Sequence, residues 1–202
     1  MQKRFSEDQT EELLFAALRE VLGSPSRIEG LALSADSIQD ALARAGKEFL
    51  DLMAARGLQR LGASETETSL ETRMERSLRR ALILEHDRIS VSGALEAHGI
   101  DHLFLKGALS DPLWWGGQGM RGASDIDILI GRAAEEESAL ILRDLGYERK
   151  RSLTHPATED ASKERLFQHG DIRSHFPVDL HIGLLNDPPY FDPADEVFER
   201  AV

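Results

Sequence analysis

Apolar residues recur every three to four positions through the first half of the chain. In the second half they alternate over short runs, and the change of period comes near Gly99. Residues 7–22 carry Leu13, Leu14, Ala17, Leu18 and Val21 at helical spacing, and Gly23-Ser24-Pro25-Ser26 ends that helix. A second helix is predicted to start on a cap drawn from Ser34, Asp36 or Ser37. It runs to about Leu61, with Ile38, Leu42, Phe49, Leu52 and Met53 turned inward. After Gly62-Ala63-Ser64 a longer helix is predicted over roughly 65–98. Its apolar positions include Leu70, Met74, Leu78, Leu82, Leu84, Ile89 and Leu95. Arg73, Glu75, Arg76, Arg79 and Arg80 lie between them and read as a solvated face.

Beyond Gly99, residues 101–106 read as a short strand, 107–115 as a helical turn and 116–122 as a glycine-rich loop. Asp125-Ile126-Asp127-Ile128-Leu129-Ile130 alternates at first and then becomes wholly apolar. This is the pattern of a core strand with a polar face at its start. Residues 133–145 read as a helix ended by Gly146. Further strands are expected near 147–153, 164–169 and 176–182, with another helix starting after Pro193. The expected division is a helical region over 1–98 and an α/β core over 99–202.

Composition narrows the function classes. A hydrophobic content of 41% belongs to a folded chain rather than a disordered one. The formal net charge of -12 disfavours binding along an extended nucleic-acid duplex, and points to a small substrate, a protein or one end of a nucleic acid. The absence of cysteine excludes disulfides and cysteine-ligated zinc, and agrees with a cytoplasmic location. Met1 to Asp8 lacks the apolar run of a signal peptide, and no stretch approaches the roughly 20 apolar residues that span a bilayer, so no membrane partner is expected.

The chemistry concentrates in the second half. Asp125 and Asp127 share one face of their strand, and at roughly 3.3 Å per residue their backbones lie about 6–7 Å apart. Two carboxylates so placed can converge on divalent ions, which prefer hard oxygen ligands and relieve the repulsion between the acids. Taken alone, an Asp-x-Asp pair is usually a solvated strand end. Here the flanking Ile126, Ile128, Leu129 and Ile130 set it at the lip of a sheet, and Arg121 and Ser124 upstream can reach phosphate oxygens. Phe176-Pro177-Val178-Asp179-Leu180-His181 is a second alternating strand that places Asp179 and His181 on one face, adding a third acid.

Leu105-Lys106-Gly107-Ala108, Arg121, Asp125-Ile126-Asp127-Ile128-Leu129 and Asp179-Leu180-His181 together resemble the uncharacterised nucleotidyltransferase family, of the polymerase-β-like nucleotidyltransferase superfamily. The resemblance covers about 100–182. It implies an α+β fold, a small mixed sheet with flanking helices like a nucleotidyltransferase palm, preceded here by the helical N-terminal region. It implies a metal-dependent enzyme that uses Mg²⁺ or Mn²⁺ to move a nucleoside monophosphate from an NTP to an acceptor hydroxyl. Asp125, Asp127 and Asp179 would hold the metals, and Asp179 would also help deprotonate the acceptor. Gly107 would admit a phosphate closely, beside substrate contacts from Lys106, Arg121, Ser124 and His181. The superfamily's Gly-Ser pair is Gly107-Ala108 here, so the hydroxyl is missing and Lys106 is the candidate replacement. The acceptor stays open between a protein, an RNA end and a small molecule, as does a toxin–antitoxin or other protein partner. The alternative is a catalytically degenerate nucleotide-binding or partner-docking module.

Gly117-Gln118-Gly119-Met120-Arg121-Gly122 fits G-x-G-x-x-G but precedes a strand rather than a helix, so it reads as a flexible substrate loop instead of a dinucleotide fingerprint. Trp114 and Trp115 are expected to anchor a loop on the core. His155, His169 and His175 have no zinc spacing, and Gly170-Asp171 reads as a turn.

Overall fold

The structure, a computed structural model, describes residues 7–24, 33–63, 67–106, 122–150 and 164–183. The expected turn at 107–115, most of the glycine-rich loop, His155 and the helix after Pro193 lie outside these residues. The chain forms two compact units, Met1–Ala81 with Asp111–Gly122, and Leu82–Ser110 with Ala123–Val202. Among the described residues no helix is long and apolar enough to cross a membrane.

The first unit is helical: α1 (Glu7–Val21), α2 (Ala35–Lys47), α3 (Asp51–Arg60) and the start of α4 (Glu67–Ala97). Ser34 caps α2 reciprocally: its Oγ accepts from Ser37 N–H at 3.1 Å, and Ser37 Oγ accepts from Ser34 N–H at 3.0 Å. Leu13, Ala17, Ile38, Leu42, Ala45, Ala55, Leu58 and Leu70 meet in one apolar core.

The single helix predicted to run to Leu61 is two helices. Phe49 takes a φ of 56°, and the Leu50 N–H reaches back to Ala45 O at 2.9 Å, closing α2. Helix ends of this kind usually carry glycine; a phenylalanine there costs roughly 1–2 kcal/mol of backbone strain, so the sequence carries no sign of the break. Phe49 is accordingly 39% exposed instead of inward, and its carbonyl accepts from Gly122 N–H at 2.8 Å.

The second unit holds the rest of α4, then β1 (His102–Phe104), β2 (Ile126–Ile130), a 3₁₀ turn at Arg132–Ala134, α5 (Glu135–Asp144), β3 (Tyr147–Arg149), β4 (Glu164–His169) and β5 (Val178–His181). The five described strands form a mixed sheet in the order β1-β2-β5-β4-β3, parallel only between β2 and β5. Its two faces differ. Ile126, Ile128, Ile130, Val178, Leu180 and Phe167 join Leu84, Val91 and Leu95 of α4 and Ile141 and Leu142 of α5 in the core. Asp127, Asp179, His181 and Glu164 alternate with these residues and take the opposite face. Leu82 and Ile89, apolar by spacing, are 73% and 58% exposed on α4.

Two contacts fix this unit locally. Gly146, at φ 92°, ends α5 where a side chain would meet the His169 ring at 2.6 Å, so both conformation and space demand glycine. Asp87 of α4, fully buried, accepts from His175 Nδ1 and from Phe176 N–H, each at 2.8 Å, and anchors the approach to β5. Removing that carboxylate orphans a buried N–H. Asp87→Ala is therefore expected to cost about 1–3 kcal/mol, read as a lower Tm.

In the first unit, a Cβ on Gly57 would sit 1.9 Å from Ala17 O, where α3 meets the α1 backbone. Gly57→Ala is expected to lower stability by about 1–3 kcal/mol in a denaturant titration, despite alanine's better helix propensity. An unchanged midpoint would mean that the two helices do not pack this closely.

Candidate active site

The parallel pairing of β2 with β5 sets Asp127 directly beside Asp179 and Leu129 beside His181. Ile126 N–H donates to Pro177 O at 2.9 Å, extending the pairing past the strand start and holding Asp125 at the mouth of the same sheet face. Asp125 and Asp179 are half-buried, and Asp127 is 2% exposed.

The groups around Asp127 come from three strands. Lys106 follows β1, whose antiparallel register Phe104↔Ile128 brings it to the starts of β2 and β5. Its φ of 47° turns the chain, and Nζ lies 2.8 Å from Asp127 Oδ1. His181 Nε2 donates to the same oxygen at 2.9 Å, and His181 Nδ1 lies 3.5 Å from Glu164 Oε1 on β4. Burial pushes the Asp127 carboxyl up, but the hydrogen bonds from His181 and Lys106 outweigh it and hold it below the usual range. Lys106 is held above its ordinary value, chiefly by its hydrogen bond to Asp127. Asp179 goes the other way: burial raises its carboxyl, and the charges of Asp125 and Asp127 raise it further.

Of the residues expected from sequence, the structure brings together Asp125, Asp127, Asp179, Lys106 and His181. Ser124 is exposed at the bend before β2. Gly107 and Arg121 lie outside the described residues. Sequence reasoning missed Glu164. It sits directly opposite His181, on the site face, and its charge is felt at both Lys106 and Asp179. The alternation of Glu164-Arg165-Leu166-Phe167 was visible, but not the strand it pairs with. The rings of His169 and His175 pack with centroids 3.7 Å apart at a 41° tilt, and His175 serves the Asp87 anchor. Asp171 caps its turn, accepting from Arg173 N–H at 3.1 Å.

One family matches this sequence, that of uncharacterised nucleotidyltransferases, over residues 34–202. The chain belongs to the uncharacterised nucleotidyltransferase family. Among curated proteins and solved structures, none matches it. The match takes in the whole sheet and most of the N-terminal helices, and it makes nucleotidyl transfer the general chemistry of this nucleotidyltransferase.

The donor set suits a divalent cation chemically. Three carboxylates offer hard oxygens on one sheet face, and the Asp179 carboxyl is raised first by burial and then by Asp125 and Asp127, a repulsion that a cation between them would relieve. Among the described residues, no three His, Asp or Glu side chains are drawn together closely enough to hold a metal as they stand. Asp127 Oδ1 is taken by Lys106 and His181.

Repulsion has a measurable sign. A carboxyl raised on folding binds its proton more tightly in the folded state. It therefore costs stability as pH rises from the unfolded Asp range through the folded value, and that cost is full above the folded value. Asp179→Asn is expected to raise Tm at pH 7, with the gain fading below the ordinary carboxylate range. Mg²⁺ should raise Tm more in the parent chain than in this variant. A lower Tm for the variant at pH 7 would show that Asp179 contributes net stabilising contacts.

Proposed function

We propose that this nucleotidyltransferase moves a nucleoside monophosphate from a nucleoside triphosphate to an acceptor hydroxyl, with Mg²⁺ or Mn²⁺ held by Asp125, Asp127 and Asp179. The observation that carries this reading is the register Asp127↔Asp179, with the charge of Asp125 reaching Asp179 on the same face. A divalent ion bound to such acids supplies neutralisation of triphosphate charge and easier loss of the acceptor proton.

The chain's own groups divide the remaining work. Asp179, its carboxyl raised, is suited to take the proton from the acceptor hydroxyl. The acceptor oxygen then bonds to the α-phosphorus, the bond between that phosphorus and the α–β bridging oxygen breaks, and pyrophosphate leaves with the electron pair. Lys106, whose side chain is 65% exposed, can exchange Asp127 for a phosphate oxygen and so stand in for the missing Gly-Ser hydroxyl. Gly107, Arg121 and Ser124 are the further candidates for phosphate contact. His181 steadies Asp127.

A second reading has two observations in its favour. Lys106 already neutralises Asp127, and Ala108 offers no hydroxyl, as expected of a module that binds nucleotides without turnover. The two readings separate on incubation with each NTP labelled at the α-phosphate, Mg²⁺ or Mn²⁺, and cell extract. Transfer of label to protein, RNA or a small molecule is expected, with loss to background in Asp127→Asn while the fold persists. Label transfer surviving in that variant refutes the site. Calorimetric binding of Mg·NTP with no pyrophosphate release would favour the module.

A further inference from the structure

Asp127 is the carboxylate most closely held in the site, and the contacts that hold it run across three neighbouring strands. Its Oδ1 accepts from His181 Nε2 at 2.9 Å; the other ring nitrogen of His181 faces Glu164 Oε1 at 3.5 Å. The strand order β2-β5-β4 places the three residues in successive strands, and the register sets Glu164 directly opposite His181. The His181 ring is 5% exposed, so its orientation is set by the groups it touches, whereas the Glu164 side chain is 48% exposed and reaches in from the rim.

We propose that Glu164 is a positioning residue of the active site, acting through His181 to fix the rotation of the Asp127 carboxylate. An imidazole that donates from Nε2 to one carboxylate and has a second carboxylate at Nδ1 is constrained at both ends. It holds its partner as outer carboxylates hold metal-binding histidines, with the order of groups reversed. Fixing Oδ1 on His181 also fixes the direction of Oδ2. The charge of Glu164 also acts on Asp179 and Lys106, so the residue belongs electrostatically to the cluster although it lies two strands from Asp127.

The proposal rests on the nucleotidyl-transfer reading for its kinetic consequence but not for its structural one, and the test separates them. The full chain, labelled with ¹⁵N on histidine and assigned with His181→Gln, is compared with Glu164→Ala and Glu164→Gln. The ring-nitrogen resonances of His181 are expected to move in Glu164→Ala and to return toward the parent values in Glu164→Gln, whose amide keeps a polar group of the same length facing Nδ1. In the transfer assay Glu164→Ala should lower kcat about tenfold, with little change in KM for the NTP, and Glu164→Gln should recover part of that loss. Unmoved His181 resonances in Glu164→Ala overturn the proposal whether or not the chain transfers nucleotides. Moved resonances with kcat intact overturn its catalytic part. A parent chain that binds NTP but transfers nothing, with the resonances moving as expected, supports the positioning role and counts against the transfer reading alone.

Discussion

The parallel pairing of β2 with β5 is the contact on which the site depends. It forces two aspartates side by side, an arrangement that electrostatics resists. The opposite face of the same strands supplies the compensation. Ile126, Ile128, Ile130, Val178 and Leu180 are fully buried, and each such side chain is worth roughly 1.5–3 kcal/mol when taken from water. The alternation of strand residues separates the two demands, so a large apolar term on one face holds in place a smaller repulsive term on the other.

What surrounds the pair moderates that repulsion unevenly. Asp127 is steadied by Lys106 and His181 on a single oxygen, while Asp179 feels the neighbouring acids, its raised carboxyl opposed only in part by His181. Two adjacent carboxyls of the same type are thus driven apart in proton affinity. Lys106 achieves its contact from a left-handed backbone position uncommon for a residue with a side chain. Such strain is tolerated where the surroundings over-determine it, here by β1 pairing on one side and the Asp127 carboxylate on the other.

Much of the site was legible before any coordinates. Asp125, Asp127 and Asp179 stood out because strict alternation set each acid against apolar neighbours, and that signal is local. Ser34 was legible as one of three candidate helix caps, and Gly146 as a helix end, for the same reason. Phe49 was not, because a left-handed φ at an aromatic residue has no signature in sequence. Gly57 went unnoticed because its role lies in how closely another helix's backbone approaches it. Glu164 and Asp87 read as ordinary charged positions; each gained its role from a partner at long sequence separation, His181 in one case and His175 with Phe176 in the other.

The sequence by itself determined which residues share a strand face and where most helices and strands lie, the break at Phe49 excepted, since both follow from periods of two and 3.6 written along a few neighbouring positions. The tertiary structure alone decided that β2 lies beside β5 and in what register. A shift of one residue would send every side chain of a strand to the other face, and only the fit of the whole apolar face against α4 and α5 excludes it. That choice set Asp127 against Asp179, brought Lys106 and His181 to one oxygen, and added Glu164 to the site.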